Sequence, residues 1–170
     1  MTKQEMLNHI DEEFKIQPND TSFLFTEKTI LNLHKICCRS FASIQAGVYR
    51  KGPALPCGPG HTPPEASQIP HFMNHFMNQM ITSKPMFHPV EFAAIAYKRL
   101  LDIYPFSSCN EEVATLFMNL LLSKEGYPVI SVPSIYAGEY ESAMMAARKM
   151  PFPDTDPLVV LIGKCILNNG

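Results

Sequence analysis

The sequence predicts an all-α fold, a helical bundle interrupted by one projecting segment. Three observations carry that prediction. Apolar residues recur at three- and four-residue spacing through long stretches such as "IPHFMNHFMNQM" and "HPVEFAAIAYKRLLDI". Glycine and proline crowd into one region, Ala46 to Ser67, and are sparse in the helical stretches. The composition, 46% apolar and 18% charged over 170 residues, suits one globular domain with a sizeable core. Residues 1–170 therefore read as one domain, with a helix and loop over 1–25, the projecting region at 46–67 and core helices at 88–126.

The elements follow in order. Thr2 to Phe14 has the pattern of a short amphipathic helix, and "IQPNDTS" is a loop. Thr26 can cap a helix over "EKTILNLHKICCRS", where Ile30, Leu33, His34 and Cys37 share one face. "AGVYRKGPALPCGPGHTPPEAS" cannot be helix and suggests a projecting hairpin or long loop. Ile69, Phe72, Met73, Phe76, Met77 and Met80 then form a Met and Phe stripe that reads as core. Pro89 suits the first turn of a long apolar helix, and Ala93, Ala94 and Ala96 allow close packing around it. "VATLFMNLLLSKEG" is equally apolar and ends at Gly126, a C-terminal cap. "YPVISVPS" is extended, and "GEYESAMMAARK" and "DPLVVLIGKCIL" close the chain as two more helices.

Several function classes fall away. A net charge of −2 gives no broad nucleic-acid footprint. The N-terminus carries acids early and lacks the apolar run of a signal peptide, and no run approaches the ~18 residues of a membrane span. The five cysteines, Cys37, Cys38, Cys57, Cys109 and Cys165, are odd in number and contain no C-x-x-C. They read as reduced thiols in a cytoplasmic protein. Cys57 with His61, and His71 with His75, are candidate ligand pairs, but neither supplies a full zinc set; surface histidines and a turn cysteine is the plainer reading.

The chemistry concentrates in "IYPFSSCNEEVATLFMN", between the two apolar helices. A helix N-terminus is a natural seat for phosphate, yet this one carries Glu111 and Glu112. Ser108 and Glu111, three apart, fit a capping box, which explains the acids without any ligand.

The stretch "HPVEFAAIAYKRLLDIYPFSSCNEEVATLFMNLLLSKEGYPVI" resembles the core of the Fic-domain family, which transfers AMP or a related phosphate-bearing group onto protein hydroxyls. The family motif is H-P-F-x-D/E-G-N-G-R-x-x-R followed by an apolar helix and "GYP". "AGVYRK" and "GHTPP" resemble the family's flap, and "EYESAMMAARK" its C-terminal helix. The resemblance spans roughly Glu27 to Ile166. It implies a helical bundle with a small β-hairpin flap at 46–67, ATP and Mg²⁺ as cofactors where activity is retained, and a protein as target.

Carried over position by position, the motif is rewritten. Tyr104 stands where the family has its general-base histidine, and Pro105, Phe106 and Asn110 match. Ser108 occupies the acidic position that would hold Mg²⁺. Cys109 and Glu111 occupy the two glycines whose backbone approaches phosphate, and Glu112 and Thr115 occupy the two arginines. Tyr140 matches the first of a tyrosine pair that contacts the base, and the second position is Glu141. A tyrosine with its usual pKa of about 10 is a poor base at neutral pH. Serine is a weak Mg²⁺ ligand, and a side chain at a glycine position blocks close backbone approach. Glutamate in place of arginine reverses the charge where phosphoryl-type transfer needs it positive. In the flap, Pro53 and Pro56 remove donors that an added target strand would use. The S/T-x-x-x-E-G/N motif that inhibits some members of the family is not found on an N-terminal helix here, and without the second arginine its glutamate would have little to pair with.

The expectation is therefore a Fic-like protein that resembles protein adenylyltransferases but is impaired, and that acts by binding or regulating an unidentified protein. No cofactor is expected, and neither nucleic acid nor membrane as partner. The alternative is a transferase with an altered donor or mechanism that uses Tyr104, Cys109 and Glu112.

Overall fold

Pro89 opens the helix that organises the rest of the chain. The His88 ring caps it, its Nδ1 accepting the Val90 N–H at 3.2 Å. Proline at the first helical position has no N–H to leave unsatisfied. The computed structural model describes residues 1–14, 25–41, 45–55, 58 and 60–169. Among them the helices are α1 (Lys3–Phe14), α2 (Glu27–Cys37), α3 (Ile69–Ser83), α4 (Pro89–Ile103), α5 (Asn110–Lys124), α6 (Ala137–Arg148) and α7 (Asp156–Asn168). The all-α expectation holds. "IQPNDTS", Pro56 and Cys57 lie outside the described residues.

α4 and α5 form the central pair. Ala93, Ala94 and Ala96 of α4 are fully buried, as are Val113, Ala114 and Phe117 of α5. Small side chains on α4 let the two helices approach closely, and Phe117 of α5 packs edge-on against Phe25 and against Phe76 of α3. α2 lies on α5, α3 and α7 lie on α4, and α1 and α6 pack on α7. Gly163 in α7 marks a close approach: a Cβ there would stand 2.4 Å from Met6 Cγ of α1. The Met and Phe stripe of α3 is core, with Met73, Phe76, Met77 and Met80 buried, while Phe72 is partly exposed. His71 and His75 are exposed.

Asparagine side chains hold two irregular segments to α5. Asn119 donates to the Ile130 C=O and accepts the Ile130 N–H, both at 2.8 Å, and so fixes the extended stretch after Tyr127. Tyr127 itself donates to Asp11 Oδ1 at 2.7 Å, and Asp11 also meets His88 Nε2 at 3.0 Å, which ties α1 to the start of α4.

Thr26 caps α2 in a reciprocal box with Thr29, as expected. The box expected from Ser108 and Glu111 does not form. Cys109 takes a left-handed backbone, φ 63°, and becomes the residue before the helix. The helix therefore starts one residue later than the box requires, and Glu111 falls one position short of it. Asn110 is the first helical residue, with its side chain directed elsewhere. On α5, Leu116 is partly exposed and Leu120 only half-buried; Met118, Leu121 and Leu122 complete the buried face.

The flap carries no strand among its described residues. One of its residues, Arg50, bonds both to the core loop and to the flap's own carbonyls. The Arg50 N–H donates to the Pro105 C=O at 2.9 Å. The Arg50 guanidinium, 5% exposed, donates from Nε to the Tyr104 C=O at 2.7 Å and also reaches the carbonyls of Gly52 and Pro64. An arginine fork can satisfy several carbonyls at once, which removes the need for a hairpin ladder.

Candidate active-site loop and the cleft beside it

The loop between α4 and α5 is bounded by two left-handed residues. Tyr104 at φ 49° ends α4, its N–H still bonded to the Leu100 C=O at 3.0 Å, and Cys109 at φ 63° begins the approach to α5. Each such turn costs a non-glycine residue about 1–2 kcal/mol, so the surroundings must enforce it. The enforcement is visible. Asn110, 3% exposed, accepts the Phe106 N–H at 2.9 Å and donates to the Phe106 C=O at 2.8 Å. Arg50 holds the carbonyls of Tyr104 and Pro105.

His34 of α2 supplies the third fastening. Its ring stacks on Phe106 at 3.8 Å between centroids, nearly parallel. The Gly47 N–H donates to Nδ1 at 2.8 Å. A backbone N–H can only donate, so Nδ1 is an acceptor and the ring proton of the neutral form sits on Nε2. Nε2 faces the Ser108 C=O and Cys38 Sγ, each at 3.2 Å. Burial pushes the His34 pKa below the usual histidine value, against the opposing effect of the Ser108 carbonyl.

Beside the loop lies a cleft of about 670 Å³. The first turns of α5 present Glu111, Glu112 and Thr115 to it; Tyr97 of α4 and Tyr140 of α6 face them, and residues 131–134 close the remaining side. The two phenols meet at 2.9 Å. Burial, more than any neighbour, raises both tyrosine pKa values, and Glu111 adds to the effect. Both are neutral donors at physiological pH and not bases. Among the described residues that line this cleft there is neither lysine nor arginine.

A smaller void of about 120 Å³ lies on the other side of Glu111 and Tyr140, against Glu141 and Arg148. Arg148 Nε donates to Asp102 Oδ1 at 2.8 Å, and Lys98 Nζ pairs with the other Asp102 oxygen at 2.7 Å. His61 reaches the same turn, its Nε2 donating to the Asp102 C=O at 2.7 Å. Among the described residues no group of three His, Cys, Asp or Glu side chains could hold a metal ion.

The structure thus gathers Glu111, Glu112, Thr115 and Tyr140 in one cleft. Tyr104, Ser108, Cys109 and Asn110 belong to the loop and do not line it. Ser108 lends its carbonyl to His34, and its hydroxyl lies 3.9 Å from Cys109 Sγ. Sequence reasoning missed His34, Arg50, Tyr97 and Arg148 as members of the site. A histidine on an apolar helix face was the one available signal; the others announce nothing locally.

A family model described as Fic/DOC family matches residues 24–122. A relative named protein adenylyltransferase Fic, from Aedes aegypti, is 31% identical over 148 residues, covering 86% of this chain and 28% of that protein. The chain thus spans little more than a quarter of that curated relative. Among solved structures, a Fic domain containing signaling protein from Bacteroides thetaiotaomicron superposes with a TM-score of 0.75 at 22% identity, over 98% of this chain and 66% of the other. IbpAFic2, solved in complex with adenylylated Cdc42, superposes with a TM-score of 0.67 at 20% identity, over 99% of this chain and 55% of the other. The matched region contains α2, the flap, α3, α4 and nearly all of α5, the elements that build the loop and one wall of the cleft, and on that match the chain belongs to the Fic/DOC family.

Proposed function

We propose that this chain keeps the Fic scaffold but has lost the standard transfer chemistry, and that it works by binding or regulating a protein partner. The observation that carries this reading is the pair Glu111 and Glu112 at the head of α5, in a cleft that no lysine or arginine lines among the described residues. Phosphoryl-type transfer relies on positive charge and backbone N–H groups around the phosphates. Here two carboxylates stand at the helix end that would otherwise receive an anion.

The cofactors of the family fit these residues poorly. Ser108 offers a hydroxyl where a Mg²⁺ site wants a carboxylate. Cys109 and Glu111 bring side chains to positions where phosphate needs bare backbone. Tyr104, at the place of the general base, is a phenol packed partly against the core. ATP with Mg²⁺ is therefore not assigned to this cleft. A protein partner is supported by likeness to IbpAFic2, solved in complex with adenylylated Cdc42. The cytoplasm is the compartment proposed, on the odd cysteine set without paired motifs.

Calorimetric titration with ATP and Mg²⁺ tests the reading. The expected result is no binding tighter than about 10 μM, on the order of −7 kcal/mol. Tighter binding, or transfer of labelled AMP to the chain itself or to added proteins, would overturn it. Labelling from a donor other than a nucleoside triphosphate would favour the alternative that uses Tyr104, Cys109 and Glu112.

A further inference from the structure

Another cleft, of about 570 Å³, opens between α3, the Lys84–Met86 turn and α4, and it shares no residue with the cleft beside the loop. Met80, Phe87 and Ile95 give it apolar walls, and His75, Gln79 and Ser83 bring polar groups to it. Arg99 of α4 lines it as well, its guanidinium carbon 5.8 Å from the centre of the buried Phe76 ring. Neither aspartate nor glutamate is among the described residues that line it.

Arg99 is an exception among the cations of this chain. Lys3, Lys84, Lys98, Arg148 and Lys164 are half-buried, and each pairs with a carboxylate. Arg50 is buried and donates to carbonyls. Arg99 is half-buried too, yet among the described residues its guanidinium makes neither a hydrogen bond nor an ion pair. Asp102, the acid whose charge it feels, already holds Lys98 and Arg148. Taking a guanidinium out of water without a partner costs free energy, and the Phe76 ring offsets only part of it. A guanidinium donates in its own plane, so a ring against its face leaves the donor edge open. His75 and Gln79, one helical turn apart on α3, likewise hydrogen-bond to no described residue.

We propose that this cleft is a binding site for a small organic acid, one carboxylate carried on an apolar body. The carboxylate pairs with the Arg99 fork through two parallel hydrogen bonds, and Gln79 supplies an amide donor from the facing helix. The apolar body lies against Met80, Phe87 and Ile95. The charge count selects the class. One guanidinium neutralises one carboxylate, and among the described residues no lysine or second arginine lines the cleft to meet the further charge of a phosphate. The volume suits a drug-sized molecule, with a mostly apolar lining and a few polar groups to fix its orientation.

Phenylbutyrate is the probe, titrated into the full chain and followed by backbone amide shifts in NMR. The expected result is saturable binding with a dissociation constant of about 1 mM or tighter, with shifts centred on α3 and α4 around Gln79 and Arg99. Phenylbutyramide keeps the shape and loses the charge; it binds at least about tenfold more weakly, and this arm needs no variant. Phenyl phosphate also binds more weakly than the acid. Arg99→Gln weakens the acid by about tenfold or more, and Arg99→Lys weakens it several-fold, because one ammonium cannot form the two-bond pair. Thermal melts show whether the variants are folded; if they are not, the acid and the amide on the unaltered chain decide alone. Failure to saturate, equal binding of acid and amide, tighter binding of phenyl phosphate, or shifts centred on Glu111 and Tyr140 would each overturn the proposal.

Discussion

Asn110 grips both polar atoms of the Phe106 backbone, accepting a hydrogen bond from its N–H at 2.9 Å and donating one to its C=O at 2.8 Å. The asparagine thus works as a staple across the loop, at a position the family resemblance marks as part of its motif. Phe106 is 1% exposed, so neither backbone group has water as a substitute. Asn110→Ala should lower stability by about 2–4 kcal/mol, the cost of leaving a buried donor and acceptor unpaired. Asn110→Asp should recover little, because a carboxylate cannot donate to the Phe106 carbonyl. Urea titration of the three proteins measures both effects. A loss below 1 kcal/mol for the alanine variant would show that the loop holds itself.

Cys109 offers a test of enforced backbone geometry. At φ 63° glycine is at ease and a β-branched residue is not. Cys109→Gly should therefore be more stable than Cys109→Val by about 2 kcal/mol, and thermal melts give the difference. Equal stability would mean that the left-handed turn is not imposed by its neighbours.

Arg50 ties the flap to the core through two donated hydrogen bonds, to the Tyr104 and Pro105 carbonyls, and gathers the flap itself through two more, to the Gly52 and Pro64 carbonyls. Arg50→Ala should destabilise by about 2–4 kcal/mol and open residues 45–65 to limited proteolysis. Arg50→Lys should behave nearly as badly, since one ammonium cannot span the three sites. Protease cleavage sites mapped by mass spectrometry would locate the change, and an unaltered digestion pattern would remove Arg50 from this role.

His34 sets a pH dependence. Its folded pKa lies below the usual histidine value of about 6.5 because it is buried as the neutral ring. Below that value the unfolded chain takes up the proton first. The stability His34 contributes is thus fully present above about pH 6.5 and falls as pH drops from there toward the lower folded pKa. His34→Gln should be less stable than the parent at pH 7.5, and the gap should narrow by pH 5.5. Urea unfolding at the two pH values reads this, and a gap that widens in acid would contradict the neutral assignment.

The rescue experiment addresses the loop as a whole. Tyr104→His, Ser108→Asp, Cys109→Gly, Glu111→Gly, Glu112→Arg and Thr115→Arg together rebuild the family motif. Because Glu111 makes no capping box, its removal should cost no cap, and the buried face of α5 is untouched. Nucleotide binding by the sixfold variant, with none in the parent, is the expected outcome of calorimetry. A variant that melts like the parent yet ignores nucleotide would show that the cleft near Tyr97 and Tyr140 has diverged as well.

Much of this fold was written in local pattern. The Pro89 start, the Asn110–Lys124 helix and the Thr26 cap all rest on near neighbours, so spacing and capping chemistry expose them. The Ser108–Glu111 box had the same local form and yet is absent, because the left-handed turn at Cys109 shifts the helix start by one residue, and no residue there announces a positive φ. The contacts of His34 with Ser108, Arg50 with Tyr104 and Arg148 with Asp102 join residues 46 to 74 positions apart. Only the folded topology brings such pairs together, and the helical periods say nothing of them. The flap's partners have the same origin: the Gly47 and Arg50 N–H groups are met by His34 and Pro105, distant in sequence, which Gly and Pro content cannot reveal.

The imidazole of His34 touches the flap through Gly47 and the loop through Ser108, and that joint grip makes the two segments thermodynamic partners. Whatever seats itself on the flap and draws the Gly47 amide away also weakens the ring's hold on the Ser108 carbonyl. By reciprocity, whatever steadies the head of α5 favours the flap as it now stands, by the same free energy. A chain without working transfer chemistry would still have, in this one ring, the means to register at its loop that a polypeptide has arrived at its flap.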